Sequence, residues 1–478
     1  MRRGPASAVL LLALAACNNV RPVATPSPTV TPSATPTPSA TTASPTVTPS
    51  VSASASATAV ACRTAYAAPD PNRPVVRLAW DVAANHGSVA GSQHVVFTPD
   101  RAVDRLVFRL WPNNGRAAAG GSRLVVAEAR VDGARAQFRT SQGSTQLTIP
   151  LGRVRNAGTK VTVDLTYQLT LPSGINDRYG HNGGTAWFAT AHPLLAWERG
   201  VGWAEQPPTT AFAEATASEA FRLEKLTVKV PAGDVVLATG VGDATNGFRA
   251  DAVRDVAVMV GRFKLARRNV DGVPLTVGVA PGMEDDAGQI ADLHVRAMRE
   301  HIARFGPFPY RDLDVAIVPD VGGGIEYPGA IINGTRQLDA TLSHEVAHQW
   351  FYGLVGNNQA RDPWLDEGFA TYAEALDRQT GDSYRTMTIP ASGRDRVGAP
   401  MSYWENHQND YFRSVYIQGA VSLLRARDRV GATAFDRAIR CYVAANAHRI
   451  ARPRDLTAAL RHLPGAVAIL RADGALPR

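Results

Sequence analysis

The sequence predicts a multi-domain α+β protein: an N-terminal antiparallel β-sandwich-like domain, then a mostly α-helical domain with a small sheet. Three observations predict it. Apolar residues alternate with period two over much of 65–266. From about 267 the apolar spacing shifts to three or four residues, with a few strand-like runs between. The chain of 478 residues is also too long for one small core.

The chain opens with Arg2 and Arg3, followed by an apolar run from about Ala6 to Ala16. A membrane span needs about 20 such residues, so this shorter run reads as an export signal over 1–17. It ends in LAAC, which resembles a bacterial lipobox. Cys17 is then the expected lipidation site, on an exported protein held to the cell membrane by a lipid anchor. A plain secretion signal is the alternative. Residues 18–64 repeat Pro, Thr, Ser and Ala with no aromatic anchor, the composition of an extended linker. The β domain is expected over 65–266, the second domain over 267–445 and a short helical tail over 446–478.

The formal net charge of +8 comes almost entirely from arginine. No dense basic block with interleaved aromatics accompanies it, so nucleic acid is not an expected partner. There are three cysteines and no C-x-x-C pair, which excludes a thiolate zinc cluster. Cys17 belongs to the signal. Cys62 and Cys441 remain, and an oxidising compartment makes a disulfide between them plausible chemistry.

Within the β domain, KVTVDLTYQLTL places Val161, Val163, Leu165, Tyr167, Leu169 and Leu171 on one face. LVFRL does the same with Leu106, Phe108 and Leu110, and LTVKV with Leu226, Val228 and Val230. Beyond 267, PLTVGVA reads as a strand. DDAGQIADLHVRAMREHIARFG reads as a helix on Ile290, Leu293, Ala297, Met298, Ile302 and Phe305, stopped by Gly306 and Pro307. LDVAIVPD is strand-like and VGGGIEYPGAI reads as a loop. Helices follow at TLSHEVAHQW, from Pro363 through PWLDEGFATYAEALD, and over about 415–430.

His344 and His348 are four apart on the first of these helices, so both lie on one face and can share a metal ion. Glu345 sits beside the first ligand, where it reaches a water at the metal rather than the metal itself. A catalytic zinc commonly takes three protein ligands and leaves one position open. Glu367, in the first turn of the helix that starts near Pro363, is placed to be the third. Asp366 reads as a charge behind the ligands or at the helix N-terminus, and Glu374 as a solvated or structural helix residue.

His344-Glu345-x-x-His348 followed after eighteen residues by Glu367 resembles the zinc site of the M1 family of zinc aminopeptidases, members of the gluzincin group. GGGIEYPG is similar to that family's Gly-x-Met-Glu-Asn motif, with Gly323, Gly324, Ile325, Glu326 and Tyr327 in its five positions. VYIQGAVSLLRARDRVG resembles the segment that carries the family's catalytic tyrosine, here Tyr416. The resemblance implies a thermolysin-like second domain with one Zn2+ per chain on His344, His348 and Glu367. It implies Glu345 as general base and Tyr416 as donor to the developing oxyanion. It also implies that Gly323 and Gly324 admit the substrate backbone and that Glu326 pairs with the free α-ammonium of a peptide. Zinc-dependent release of N-terminal residues from peptides is the activity that follows. Ile325 and Tyr327 depart from the motif's Met and Asn, which points to a different first-residue pocket. Many family members continue into a large helical C-terminal domain, and this chain is expected to lack it. Other readings stay open: a zinc endopeptidase of the same class, a non-catalytic peptidase-like binding protein, or a structural lipoprotein whose helix happens to carry the histidines. Nothing in the sequence speaks to oligomeric state.

Overall fold

Alternation along the strands builds the first half of the molecule. In a computed structural model, which describes residues 65–175, 177–210, 218–335 and 338–478, the run Val161–Thr170 is a central strand. It pairs with Ser88–Phe97 on one side and Arg123–Val131 on the other. Val161, Val163, Leu165, Tyr167 and Leu169 are all buried, as the alternation predicts. The export signal, Cys17, the Pro/Thr/Ser/Ala-rich linker and Cys62 lie outside the described residues.

The strand belongs to an eight-stranded sheet. Two four-stranded sheets, one built on Val103–Arg109 and Gln146–Arg155, the other on Thr185–Ala189 and Ala257–Gly261, and the short pair Trp197–Glu198 and Gly202–Trp203 complete the described β domain. The large sheet departs from the expected antiparallel pattern at one pair: Val75–Val82 and Phe221–Lys229 run parallel. More than a hundred residues separate these two strands, so no hairpin turn dictates their relative direction. Strand Val103–Arg109 buries both faces near its end. Val107 and Arg109 are covered as completely as Leu106 and Phe108, so the simple in-out pattern fails there.

The second half is built on a five-stranded sheet ordered Lys264–Val270, Val273–Val279, Leu313–Ile317, Ala330–Asn333 and Gly324–Tyr327. Its first strand spans the expected domain boundary at 266/267. The stretch expected as a loop, 321–331, instead supplies the edge strand Gly324–Tyr327, which returns through Pro328 and Gly329 into Ala330–Asn333. Glycines and a proline in the sequence mask this hairpin.

Helix Ala287–Phe305 packs against the sheet. Asp286 caps its N-terminus by accepting from Gly288 N and Gln289 N, and Gly306 at φ 110° ends it. Its buried face includes His294 and His301 beside the expected Ile290, Ala297, Met298 and Phe305, while Leu293 and Ile302 are only partly buried. The two halves are joined through buried polar contacts. Arg254 of the β domain donates to the Gly353 carbonyl at 3.0 Å, just beyond the histidine helix, and Glu198 pairs with Arg361 and Arg452. Cys441, on helix Ala432–Asn446, is disulfide-bonded. Nearby, Ala67 N donates to Ala444 O at 2.8 Å, which brings the start of the β domain against that helix.

Candidate metal centre and active site

Two helices bring the three expected ligands together. Helix Leu338–Ala347 carries His344, and its last turn continues to His348, whose N donates to His344 O at 3.2 Å. Helix Trp364–Asp377 carries Glu367 in its first turn. The helices pack on each other, and Leu342, Val346, Phe369 and Ala370 are buried in the core they share. The apolar faces therefore fix the polar ones.

The geometry fits one small cation. His344 Nε2 and His348 Nε2 lie 3.0 Å apart, and Glu367 Oε2 lies 3.2 Å from the first and 3.4 Å from the second. Zinc bonded at about 2.0–2.1 Å to tetrahedral ligands separates them by about 3.3 Å, so these three atoms outline one face of such a tetrahedron. Electrostatics agree. Burial pulls both imidazoles down, but the carboxylates outweigh it: Glu367 and Glu374 hold His344 well above its ordinary value. Glu326 and Glu367 raise His348 to about 9. A field that draws protons onto two buried rings favours a divalent cation in their place.

Each ligand is oriented from behind. His348 Nδ1 lies 3.0 Å from the Phe351 carbonyl, which leaves Nε2 for the metal corner. His344 Nδ1 faces Glu374 Oε2 at 3.6 Å. Glu374 is not solvated: it is buried and accepts from the Tyr384 hydroxyl at 2.6 Å. Asp366 is also buried. Its Oδ1 accepts from Glu367 N at 2.8 Å and its Oδ2 from Gln359 Nε2 at 3.0 Å, so it serves the helix N-terminus behind the ligands.

The remaining expected residues converge on the same place. Glu345 is buried, and burial, opposed by His344, pushes its carboxyl up to about 8. Carboxylate oxygens of Glu326 and Glu345 and a ring nitrogen of His348 lie within 4.8 Å of one another. They do not form a second cation site, because His348 Nδ1 is held by Phe351 O and Nε2 belongs to the first. Tyr416 stacks on His344 with ring centroids 5.8 Å apart, and its hydroxyl donates to Glu367 Oε1 at 2.6 Å. It sits in a π-helical turn, Phe412–Ile417, a local widening common at functional sites.

Gly324 is constrained for a different reason than substrate access alone. A Cβ there would collide with Glu345 Cγ and Asn333 Oδ1 and stand 2.5 Å from Glu345 Oε1. Gly323 lies just before the edge strand, its carbonyl accepting from Gly334 N at 2.8 Å. One residue escaped the sequence reading altogether. Gln349, fully buried, accepts from Gly329 N at 2.9 Å and donates to Tyr327 O at 3.0 Å, so it clamps both sides of the turn beyond Glu326. Its only signal was its place directly after His348.

Fold and site together define a class: a β domain joined to an α-rich domain in which two histidines and one glutamate can hold a metal ion, with a further buried carboxylate beside them. Comparison with known proteins narrows this. Residues 326–470 match the model of the peptidase family M1 domain, so the α-rich half of the chain is similar to that family's peptidase domain. Among curated proteins it is 26% identical to Aminopeptidase M1-B of Oryza sativa subsp. japonica, over 44% of this chain and 28% of that one. It is 25% identical to Aminopeptidase N of Streptomyces lividans, over 44% of this chain and 29% of that one. The matches thus span under a third of those relatives' length. Among solved structures, the M1 zinc metallopeptidase from Deinococcus radiodurans superposes with a TM-score of 0.62 at 21% identity, covering 85% of this chain and 94% of that one. A point mutant of that protein, bound to a Tyr-Ser-Ala substrate, gives 0.61 at 20% identity with the same coverage. These structures share the fold.

Proposed function

We propose that the protein is a zinc-dependent aminopeptidase that releases N-terminal residues from peptides. The observation that carries this reading is the placement of the Glu326 carboxylate within 4.8 Å of both Glu345 and His348. One peptide residue spans about 3.8 Å between Cα atoms. A carboxylate that close to the metal corner pairs with a free α-ammonium and leaves room for one residue before the scissile bond.

His344, His348 and Glu367 would hold the zinc. When bound, zinc supplies a Lewis acid that polarises the scissile carbonyl and makes water a nucleophile near neutral pH. Glu345 takes a proton from the attacking water and returns it to the leaving amine. Tyr416, whose hydroxyl lies beside Glu367, would donate to the developing oxyanion. Among the described residues, the edge strand Gly324–Tyr327 has an unpaired side, to which an extended peptide can add as a further strand.

The test compares aminoacyl anilides with their N-acetylated forms, with and without a zinc chelator. Chelator-sensitive cleavage of the free-amine substrates alone is expected, with Glu326→Gln raising their KM. Equal cleavage of blocked substrates would replace this reading by the endopeptidase one. We further propose export and lipid anchoring at Cys17, which rest on the N-terminal sequence. Fatty-acid labelling that survives Cys17→Ser would refute the anchor.

A further inference from the structure

Asn333 ends the strand that pairs with the edge strand, directly opposite Gly324. Opposed residues share a face of a sheet, and so do residues two apart. Asn333, Gly324 and Glu326 therefore look the same way, toward the helix that carries Glu345. Asn333 has no exposed surface, and neither its Oδ1 nor its Nδ2 has a hydrogen-bond partner among the described residues. The same is true of Glu345 Oε2. A Cβ on Gly324 would meet both side chains at once, Asn333 through Oδ1 and Glu345 through Cγ and Oε1. The carboxamide and the carboxylate thus share the space above one glycine, close enough for a single bridging water to reach both.

A buried amide with unmet hydrogen bonds destabilises the fold, and an apolar residue of the same size avoids that cost. A carboxamide in this position therefore points to a role outside packing. We propose that Asn333 is a positioning residue for Glu345: through a water held between them, its amide keeps the carboxylate turned toward the site of attack. The oxygen and nitrogen of the amide exchange places by rotation about Cβ–Cγ, so either a donor or an acceptor is available to that water. The proposal rests on the reading of Glu345 as general base.

The test uses the full chain with zinc bound, an aminoacyl anilide as probe, and the variants Asn333→Leu, Asn333→Ser and Glu345→Gln. Asn333→Leu is expected to lower kcat about tenfold or more, the scale seen when partners of active-site groups are removed. KM and bound zinc stay as in the parent, and the melting temperature is equal or higher, since a buried amide with its hydrogen bonds only partly met is gone. Asn333→Ser, which offers a hydroxyl in place of the amide and leaves room for water, recovers much of kcat. Parent-like kcat in Asn333→Leu, with Glu345→Gln inactive, overturns the proposal alone. A kcat loss that comes with lost zinc and a lower melting temperature in both Asn333 variants overturns it in favour of a packing role. Activity in Glu345→Gln removes the general-base reading and the proposal with it.

Discussion

Gln349 donates from its side-chain amide to the Tyr327 carbonyl across 3.0 Å, so the residue after the second histidine grips the backbone next to Glu326. Its other amide atom accepts from Gly329 N at 2.9 Å. The segment after His348 and the turn after Glu326 are thereby tied through one side chain. Gln349→Leu leaves a buried N–H and a buried C=O unmet, which costs about 1–3 kcal/mol each. The expected result is a lower melting temperature and a KM for free-amine substrates raised several-fold, with a weaker preference over acetylated ones. Gln349→Glu keeps the acceptor for Gly329 N and is expected to fall between. Unchanged KM and unchanged preference in Gln349→Leu would show that the anchor is fixed by other contacts.

The three candidate ligands come from two packed segments, so zinc bound there would be coupled to folding. A ligand that binds only the folded state stabilises it by about 4 kcal/mol at a thousand times its dissociation constant. Chelation is therefore expected to lower the melting temperature measurably, and readdition of zinc to restore it. His348→Ala should lose bound zinc, activity and this chelator response together. Glu345→Gln should lose activity and keep the other two. A chelator response that persists in His348→Ala would place the ion elsewhere.

Glu374 faces His344 Nδ1 from the side away from the metal corner. Carboxylates in this position orient a ligating imidazole and raise its basicity, and their removal costs about 10–100-fold in metal affinity or activity. Glu374→Gln keeps the shape and removes the charge. Competition with a chelator of known affinity should show zinc held at least about tenfold more weakly. An affinity equal to the parent's would mean that His344 is oriented by packing alone.

What could be read from the sequence follows from how far apart the cooperating residues lie. His344 and His348 are four apart on one helix, so their shared face is a local property. Glu367 needed only the inference that a helix begins near Pro363 and packs back on the first. Tyr416 came from resemblance, and nothing local marks the π-helical turn that presents it. The hairpin 324–333 read as a loop because its glycines and proline mimic turn punctuation. Gly324 is there because Glu345 and Asn333 lie over it, a contact between residues far apart in sequence. Glu374 was read only as a solvated or structural helix residue, and Gln349 not at all, since their partners Tyr384, Gly329 and Tyr327 come close only when folded.

His192 offers a test of the β domain that is independent of the site. It is 1% exposed, lies near the rings of Trp80 and Phe221 at 6.3 Å from each, and its Nδ1 has no partner among the described residues. Burial lowers its pKa from 6.5 to about 3. A base depressed on folding contributes stability that is fully present above its unfolded pKa and is lost as pH falls toward its folded one. The window therefore opens near pH 6.5 and closes near pH 3, with about 1.4 kcal/mol lost per unit inside it. Buried acids act in the opposite direction: Asp255, raised to about 6 by burial, and Glu219, raised to about 8 by burial against Arg199, lose stability as pH rises. The raw profile of the protein mixes these signs. The difference between parent and His192→Leu removes the shared terms. In urea unfolding at fixed zinc, that difference should be flat above about pH 7 and shift in favour of the variant by about 2–3 kcal/mol by about pH 4.5. A difference that stays constant with pH would mean that His192 titrates alike in the folded and unfolded chain, and that water reaches its ring.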